Sequence, residues 1–338
     1  MIAYALGRLG LLVFTLLGLL CITFTIARVV PGDPARLAAG PDASESMVQT
    51  VRAKYGLDQP VTTQFVRYVR GLATGDLGRS IRSHNAVSED LVRYLPNTLE
   101  LVALALLLAV VVGIPLGMLS AVYKDTWVDH SARLVSVSGV AMPAFWLGLM
   151  LQLVVALALG WLPLGGRLRL TTVPPEPITH LLLLDALLRG QWATFGDALR
   201  HAVLPVVTLC FPALASILRV NRAEMIEVLR QEYVTSARAQ GLPGWRVVAK
   251  YALKNAMVPT LAMIGLRYGW MLGGTILVES VFDWPGIGLY AVTAAISSDF
   301  EPVLAVTLVL GLNFMLANLL VDLAYGWLDP RLRPARPA

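Results

Sequence analysis

Charge is scarce in this chain. Only 14% of its residues are Asp, Glu, Lys or Arg while 57% are hydrophobic, against roughly 25% charged in an average soluble protein. That composition excludes one or two ordinary soluble domains and points to a chain solvated by lipid. Cysteine is nearly missing as well. Cys21 and Cys210 both fall in apolar runs, which excludes a disulfide framework or a zinc site and leaves each as a small buried apolar side chain. The histidines His84, His130, His180 and His201 show no metal-ligand spacing, and no Ser-His-Asp or paired-carboxylate arrangement is present, so no catalytic or metal site is expected. The dipeptide Gly-Lys never occurs, which excludes a phosphate-binding P-loop. A single Gly-x-Gly-x-x-Ala run at residues 286–291 follows Trp284-Pro285 instead of a strand, and reads as a turn, not a nucleotide site.

Long charge-free runs are what the chain has in their place. A bilayer core needs about 20 apolar residues per helix. Leu9–Ala27, Leu101–Val122, Leu134–Gly166 and Pro302–Val321 are free of charge, and two imperfect runs accompany them: Ala202–Leu218, with Pro205 and Pro212, and Ala256–Val278, broken by Arg267. Six transmembrane helices are expected. Their internal prolines, Pro115 and Pro143 included, are compatible with a bundle in which neighbours and hydroxyls satisfy freed carbonyls. These runs are apolar on every side, not alternating, which excludes a β-barrel. Leu9–Ala27 exceeds a signal-peptide core and reads as an uncleaved anchor.

Lysine and arginine set the orientation. Residues 281–301 carry Asp283, Asp299 and Glu301 with no basic residue, whereas Arg331, Arg333 and Arg336 follow the last run. The tail is therefore expected in the cytoplasm, and with six spans the N-terminus too. Residues 1–30 form the N-terminus and first span, 31–97 a small, partly helical external region, 98–328 the five-helix remainder including a cytoplasmic loop at 221–255, and 329–338 the tail. A second external stretch contains LLLLDALL at 181–188, too short to span and read as an interfacial or docked helix.

The cytoplasmic loop is the least apolar part of the second half. It carries Arg219, Arg222, Arg230, Arg238, Arg246, Lys250 and Lys254 against Glu224, Glu227 and Glu232. Glu232–Gln240 favours helix, Gly241 is placed to end it with a left-handed cap, and Pro243 cannot continue it. A second helix is expected from near Trp245, with Arg246, Lys250 and Lys254 on one stripe. Such an elbow suits anionic headgroups, which accounts for the basic stripe. The small residues Ser236, Ala237, Ala239 and Gly241 also suit a docking knob for a cytoplasmic protein.

Here the chain resembles permease subunits of ABC importers, whose cytoplasmic loop carries Glu-Ala-Ala, three residues, then Gly. Aligned on Gly241, Thr235, Ser236 and Ala237 fall on Glu-Ala-Ala, and the downstream Ile-x-Leu-Pro falls on Tyr251, Ala252, Leu253 and Lys254. The wording YVTSARAQGL and KYALKNAMVPTL is similar to the dipeptide and oligopeptide branch, as are PGDPARLAAG, KYGLDQPV, GDLGRSIR, LPNTLEL, MPAFWLGL, LVESVFDWPGIG and NLLVDLAYGWLDPRLR. The resemblance implies an all-α type I importer permease fold and a coupling helix between the fourth and fifth spans. Glu232, Tyr233, Ser236, Ala237, Arg238, Ala239, Gly241 and Leu242 would meet the ATPase. It implies further a bacterial inner-membrane location, a second homologous permease, one or two ATPase subunits holding ATP and Mg, and an external binding protein. Nucleic acid has no place in it, and this chain binds no cofactor. Dipeptides or oligopeptides are the implied cargo, with nickel chelates and glutathione as alternatives. An ion-coupled secondary transporter would ask for buried mid-membrane carboxylates and inverted repeats, and a membrane scaffold would need no docking knob.

Ionisable groups inside spans are expensive and default to functional candidates. Arg267 is the deepest, at a position where relatives of the resembled kind carry Gln; it is expected either to face the pore and attract a peptide carboxylate or to pair with Asp322 or Glu279. Glu279 near the outer mouth reads as snorkelling or capping, and Asn318 and Asp322 near the inner end of the last span read as helix–helix hydrogen bonding.

Overall fold

The computed structural model describes residue 10 and residues 14–25, 34–40, 43–54, 56–297 and 299–328, with side chains to Val321 except those of residues 34, 37, 38 and 54. The start of the first expected span, Arg8, the Pro-Gly-Asp of the first external motif, the Asp322 side chain and the tail arginines lie outside the described residues. Within the described residues the chain is helical, with no β-strand and one isolated bridge, Arg79 to Ala86.

The apolar helix α1, Phe14–Thr25, is followed by three helices of the expected external region: α2 (Pro34–Ala39), α3 (Glu45–Lys54) and α4 (Val61–Ala73). Phe24 of α1 packs edge-on to Phe65 and stacks on Tyr68 of α4, with ring centroids 5.2 and 5.9 Å apart. Then come α5 (Val87–Val122) and α6 (Trp127–Ala141), followed by α7 (Ala144–Ala158). The docked helix α8 (Leu182–Leu188) leads into α9 (Trp192–Val228), and the short α10 (Glu232–Ala239) into α11 (Gly244–Val281). Finally come α12 (Ile287–Ile296) and α13 (Phe300–Leu328).

Among the described residues four helices, α5, α9, α11 and α13, are long and apolar enough to cross a bilayer, and α6 with α7 passes the same test as a pair bent by 107°. The run Leu134–Gly166, expected as one helix, is therefore a correction. Met142 is extended (φ −85, ψ 126), because the ring of Pro143 disfavours the helical conformation in the residue before it. The second arm ends in a π-helical stretch, Gln152–Ala158.

The α5–α9 pair forms the centre of the bundle. Ala105, Ala109, Gly113 and Gly117 recur every four residues along α5 and are buried. A Cβ at Gly113 would lie 3.3 Å from Leu214 O and one at Gly117 2.8 Å from Leu218 O. Lipid is as apolar as leucine, so association in a membrane rests on close backbone approach, and small residues permit it. Ile217 and Asn221 complete the α9 side, lying against Gly113 and Gly117. Pro205 and Pro212 lie inside α9 without ending it, and Ser216 Oγ donates to Pro212 O at 2.9 Å.

Candidate functional site

The elbow after α9 is built as the spacing predicts. Helix α10 ends at Ala239, Gly241 adopts φ 76, and Pro243 precedes a helix that starts at Gly244. That second arm is no separate helix: it runs on through a π-helical stretch, Val247–Ala252, into α11. Helix α10 is thus slung between the ends of two membrane helices, with residues 229–231 joining it to α9 and 240–243 to α11. Val234 and Ala237 are buried against Val247, with Val228, Leu229 and Leu242 around them, and Asn255 Nδ2 donates to Tyr233 Oη at 2.6 Å. An apolar hub and a cross-bond make the corner stiff.

Glu232, Ser236, Arg238, Ala239 and Gly241 are exposed, Tyr233 is 41% exposed, and Leu242 is half-buried in the hub. Ala237, one of the small residues of the expected docking knob, is 5% exposed, since Val234 and Ala237 share the i, i+3 face turned to α11. Arg246, Lys250 and Lys254 are exposed as a stripe, and the Arg246 guanidinium sits 5.5 Å over the Trp245 ring.

The same end of the bundle holds a buried ion pair that sequence reading missed. Asp129 at the start of α6 is fully buried. It accepts from Arg222 of α9 through Nε at 2.6 Å and Nη2 at 2.8 Å, from Ser120 Oγ of α5 at 2.6 Å, and from the Asp125 N–H at 3.0 Å. Arg133 adds an exposed contact at 3.4 Å. The α5–α6 corner is therefore fastened to the part of α9 that leads into α10.

Of the membrane candidates, Arg267 is half-buried near the middle of α11; its Nε is buried without a hydrogen-bond partner, and the charge felt there is a second cation, Arg219 of α9. The expected alternative of a pair with Glu279 is not formed. Twelve residues of helix separate the two by roughly 18 Å, and Glu279 is engaged elsewhere. It is fully buried, accepts from Thr98 Oγ1 at 2.6 Å and from the Leu289 N–H at 2.9 Å, and so caps α12. The run at 286–291 read as a turn is the N-cap and opening of α12, and a Cβ on Gly286 would overlap Glu279 and Thr98. Asn318 is half-buried, but the hydrogen bond joining α11 to α13 uses Tyr268 and Asn313.

Two quoted motifs, LPNTLEL and DWPGIG, lock together at this outer end. Trp284 Nε1–H donates to Asn97 O at 3.0 Å, Asn97 Nδ2 donates to Pro285 O at 2.6 Å, and the Ile287 N–H donates to Thr98 Oγ1 at 2.8 Å. Arg167 bonds Asn97 and pairs with Glu100, and its guanidinium lies 5.2 Å over Trp284. Burial lowers the pKa of Arg167, and Glu100 beside it opposes that shift. Glu100 Oε1 also accepts from the Leu183 N–H at 2.7 Å, which caps α8 and docks it, as expected for LLLLDALL. A polar residue late in a loop and polar residues opening a span carry no periodic signal, so this partnership was not legible beforehand.

A bundle of long apolar helices with buried polar locks at both ends defines a multi-helix membrane protein. The family described as "Binding-protein-dependent transport system inner membrane component" matches residues 113–334, and "Binding-prot-dependent transport system membrane comp, N-term" matches residues 1–102. The chain belongs to this family and is a multi-pass inner-membrane protein. It is 47% identical over 321 residues to the probable D,D-dipeptide transport system permease protein DdpB of Escherichia coli K12, covering 95% of this chain and 94% of that one. It is 39% identical to the dipeptide transport system permease protein DppB of Alkalihalophilus pseudofirmus, covering 98% and 100%. A glutathione transport system permease protein, GsiC of Salmonella paratyphi A, is 36% identical, covering 98% and 99%.

Proposed function

We propose that this chain is one of two similar permease subunits that together line the pore of an ATP-driven peptide importer, receiving di- or oligopeptides from an external binding protein. The observation that carries the reading is near full-length similarity to dipeptide permeases, at 47% and 39% identity, in a chain whose elbow joins two membrane helices without a flexible linker. Counting the bent pair as one span and Phe14–Thr25 as part of another gives six, with both termini cytoplasmic. ATP and Mg belong to partner ATPases, this chain holds no cofactor of its own, and lipid is its remaining partner. The exposed face of α10, Glu232, Ser236, Arg238, Ala239 and Gly241 with Tyr233, is the surface offered to the ATPase. Arg267 attracts the peptide carboxylate on its way through, and Glu279, Asn318 and Asp322 support the path. A glutathione cargo is the second reading, from the GsiC likeness.

Reconstitution with the partner permease, ATPases and binding protein tests this. ATP-dependent uptake of a dipeptide in preference to glutathione or a nickel chelate is expected, and mass spectrometry of the loaded binding protein identifies the cargo. Glutathione uptake without dipeptide uptake selects the second reading. An elbow that crosslinks to lipid and to no ATPase overturns the mechanism.

A further inference from the structure

Beside the Trp284–Asn97 lock, the loop after α4, the start of α5 and α12 line a half-open cavity of about 360 Å³, with Ser80, Arg82, Tyr94, Tyr290, Thr293 and Asp299 among its walls. Its volume falls within the usual range of small-ligand sites. Tyr94 and Tyr290 stack at 5.1 Å as an aromatic wall. Asp299 is fully buried. Its Oδ2 accepts from Ser80 Oγ at 2.6 Å and the Arg82 N–H at 3.1 Å, while Oδ1 has no hydrogen-bond partner. Four of the hydroxyls around the cavity are already committed. Ser83 and Tyr290 donate to Asp90 at 2.6 and 2.9 Å, Thr293 donates to Tyr290 O at 2.9 Å, and Ser80 serves the other Asp299 oxygen. A buried carboxylate oxygen needs donors, and an occupant with cationic N–H groups supplies both the donors and a countercharge.

We propose that this cavity binds the α-ammonium group of a peptide, with Asp299 Oδ1 as the acceptor and the tyrosine pair as the wall for the first side chain. The inference deepens the peptide-importer reading and rests on it for the ligand class. The ammonium donates to Oδ1 and its charge answers the carboxylate; no bond is made or broken.

The test uses the assembled permease–ATPase complex in nanodiscs, without binding protein, and calorimetric titration with L-alanyl-L-alanine and its N-acetyl form. Saturable binding of the free dipeptide is expected, with acetylation weakening it at least about tenfold, the scale of a lost charge-assisted hydrogen bond. Asp299→Asn is expected to remove that preference. Thr293→Phe fills the cavity without touching the Ser80–Asp299 bond and is expected to weaken binding by a similar factor of about ten. The proposal is overturned if the wild-type complex binds no dipeptide, if the acetylated form binds equally, if assembled Thr293→Phe binds like wild type, or if sodium alone displaces the peptide. Uptake is scored separately. A complex that transports dipeptide but shows no such site refutes this inference and leaves the function standing; a complex that binds Ala-Ala through Asp299 yet imports only other cargo does the reverse.

Discussion

Arg222 of α9 meets Asp129 of α6 side-on, Nε and Nη2 on the two carboxylate oxygens at 2.6 and 2.8 Å, with the aspartate fully buried and the arginine side chain 19% exposed. The pair joins the part of α9 that leads into α10 to the α5–α6 corner.

Breaking one side of that pair leaves a buried charge uncompensated. Arg222→Met is expected to lower stability by about 3–5 kcal/mol, read as a fall in the melting temperature of the detergent-purified complex. Adding Asp129→Leu to Arg222→Met is expected to recover most of the loss; a double variant no better than the single would show that packing, not charge, holds the corner.

The inward turn of Ala237 separates two substitutions on neighbouring residues. Ser236→Arg places bulk on the exposed face of α10, and the permease is expected to assemble at wild-type abundance while ATP hydrolysis runs without uptake. Ala237→Arg instead drives a charge into the hub of Val234 and Val247 and is expected to reduce abundance. Proteoliposome uptake against ATPase rate reads both, and normal uptake in Ser236→Arg removes α10 from the coupling surface.

Arg267 is expected to act on cargo and not on assembly. Arg267→Gln should leave membrane abundance unchanged and reduce uptake of peptides with a free C-terminal carboxylate more than that of C-terminally amidated ones, both supplied on saturated binding protein. Unchanged transport with poor assembly would place the residue in the scaffold.

Thr98 serves Glu279 and the Ile287 N–H together. Thr98→Val strips both, and a loss of about 2–4 kcal/mol is expected from two buried groups left short of partners, measured as a lower melting temperature. Thr98→Ser should retain most of the stability.

Asp185 gives a pH signature outside the membrane helices. Burial would raise its pKa, but the Thr179 N–H and hydroxyl at 2.8 and 2.6 Å overcome that and hold it below the ordinary value. A folded pKa below the unfolded one means that the stabilisation is complete above about pH 4 and is lost as pH falls through the folded value. Asp185→Asn is therefore expected to melt below wild type at neutral pH, with the gap closing under acid; a gap independent of pH would assign the effect to shape.

Much of this architecture was open to a reader of residues alone. The apolar runs marked α5, α9, α11 and α13 because spanning a bilayer leaves a local, length-coded trace, and Gly241 with Pro243 marked the corner of the elbow because left-handed caps and missing N–H groups are local facts as well. Arg267 stood out for the same reason, a charge inside a run.

The locks left no such trace. That Asp129 answers Arg222, that Glu100 answers Arg167 while capping α8, and that Glu279 caps α12 instead of pairing with Arg267 all depend on residues far apart in the chain meeting across helices. Buried polar groups in a membrane bundle must find donors and acceptors wherever packing brings them, so their partners follow from how Ala105, Ala109, Gly113 and Gly117 let α5 close on α9. The facing of Ala237 belongs to the same class, whereas the break at Pro143 is a local effect of its ring on Met142. Composition and spacing dictated where helices run and end; which of their faces meet, and hence what each buried charge is for, came from the packed bundle.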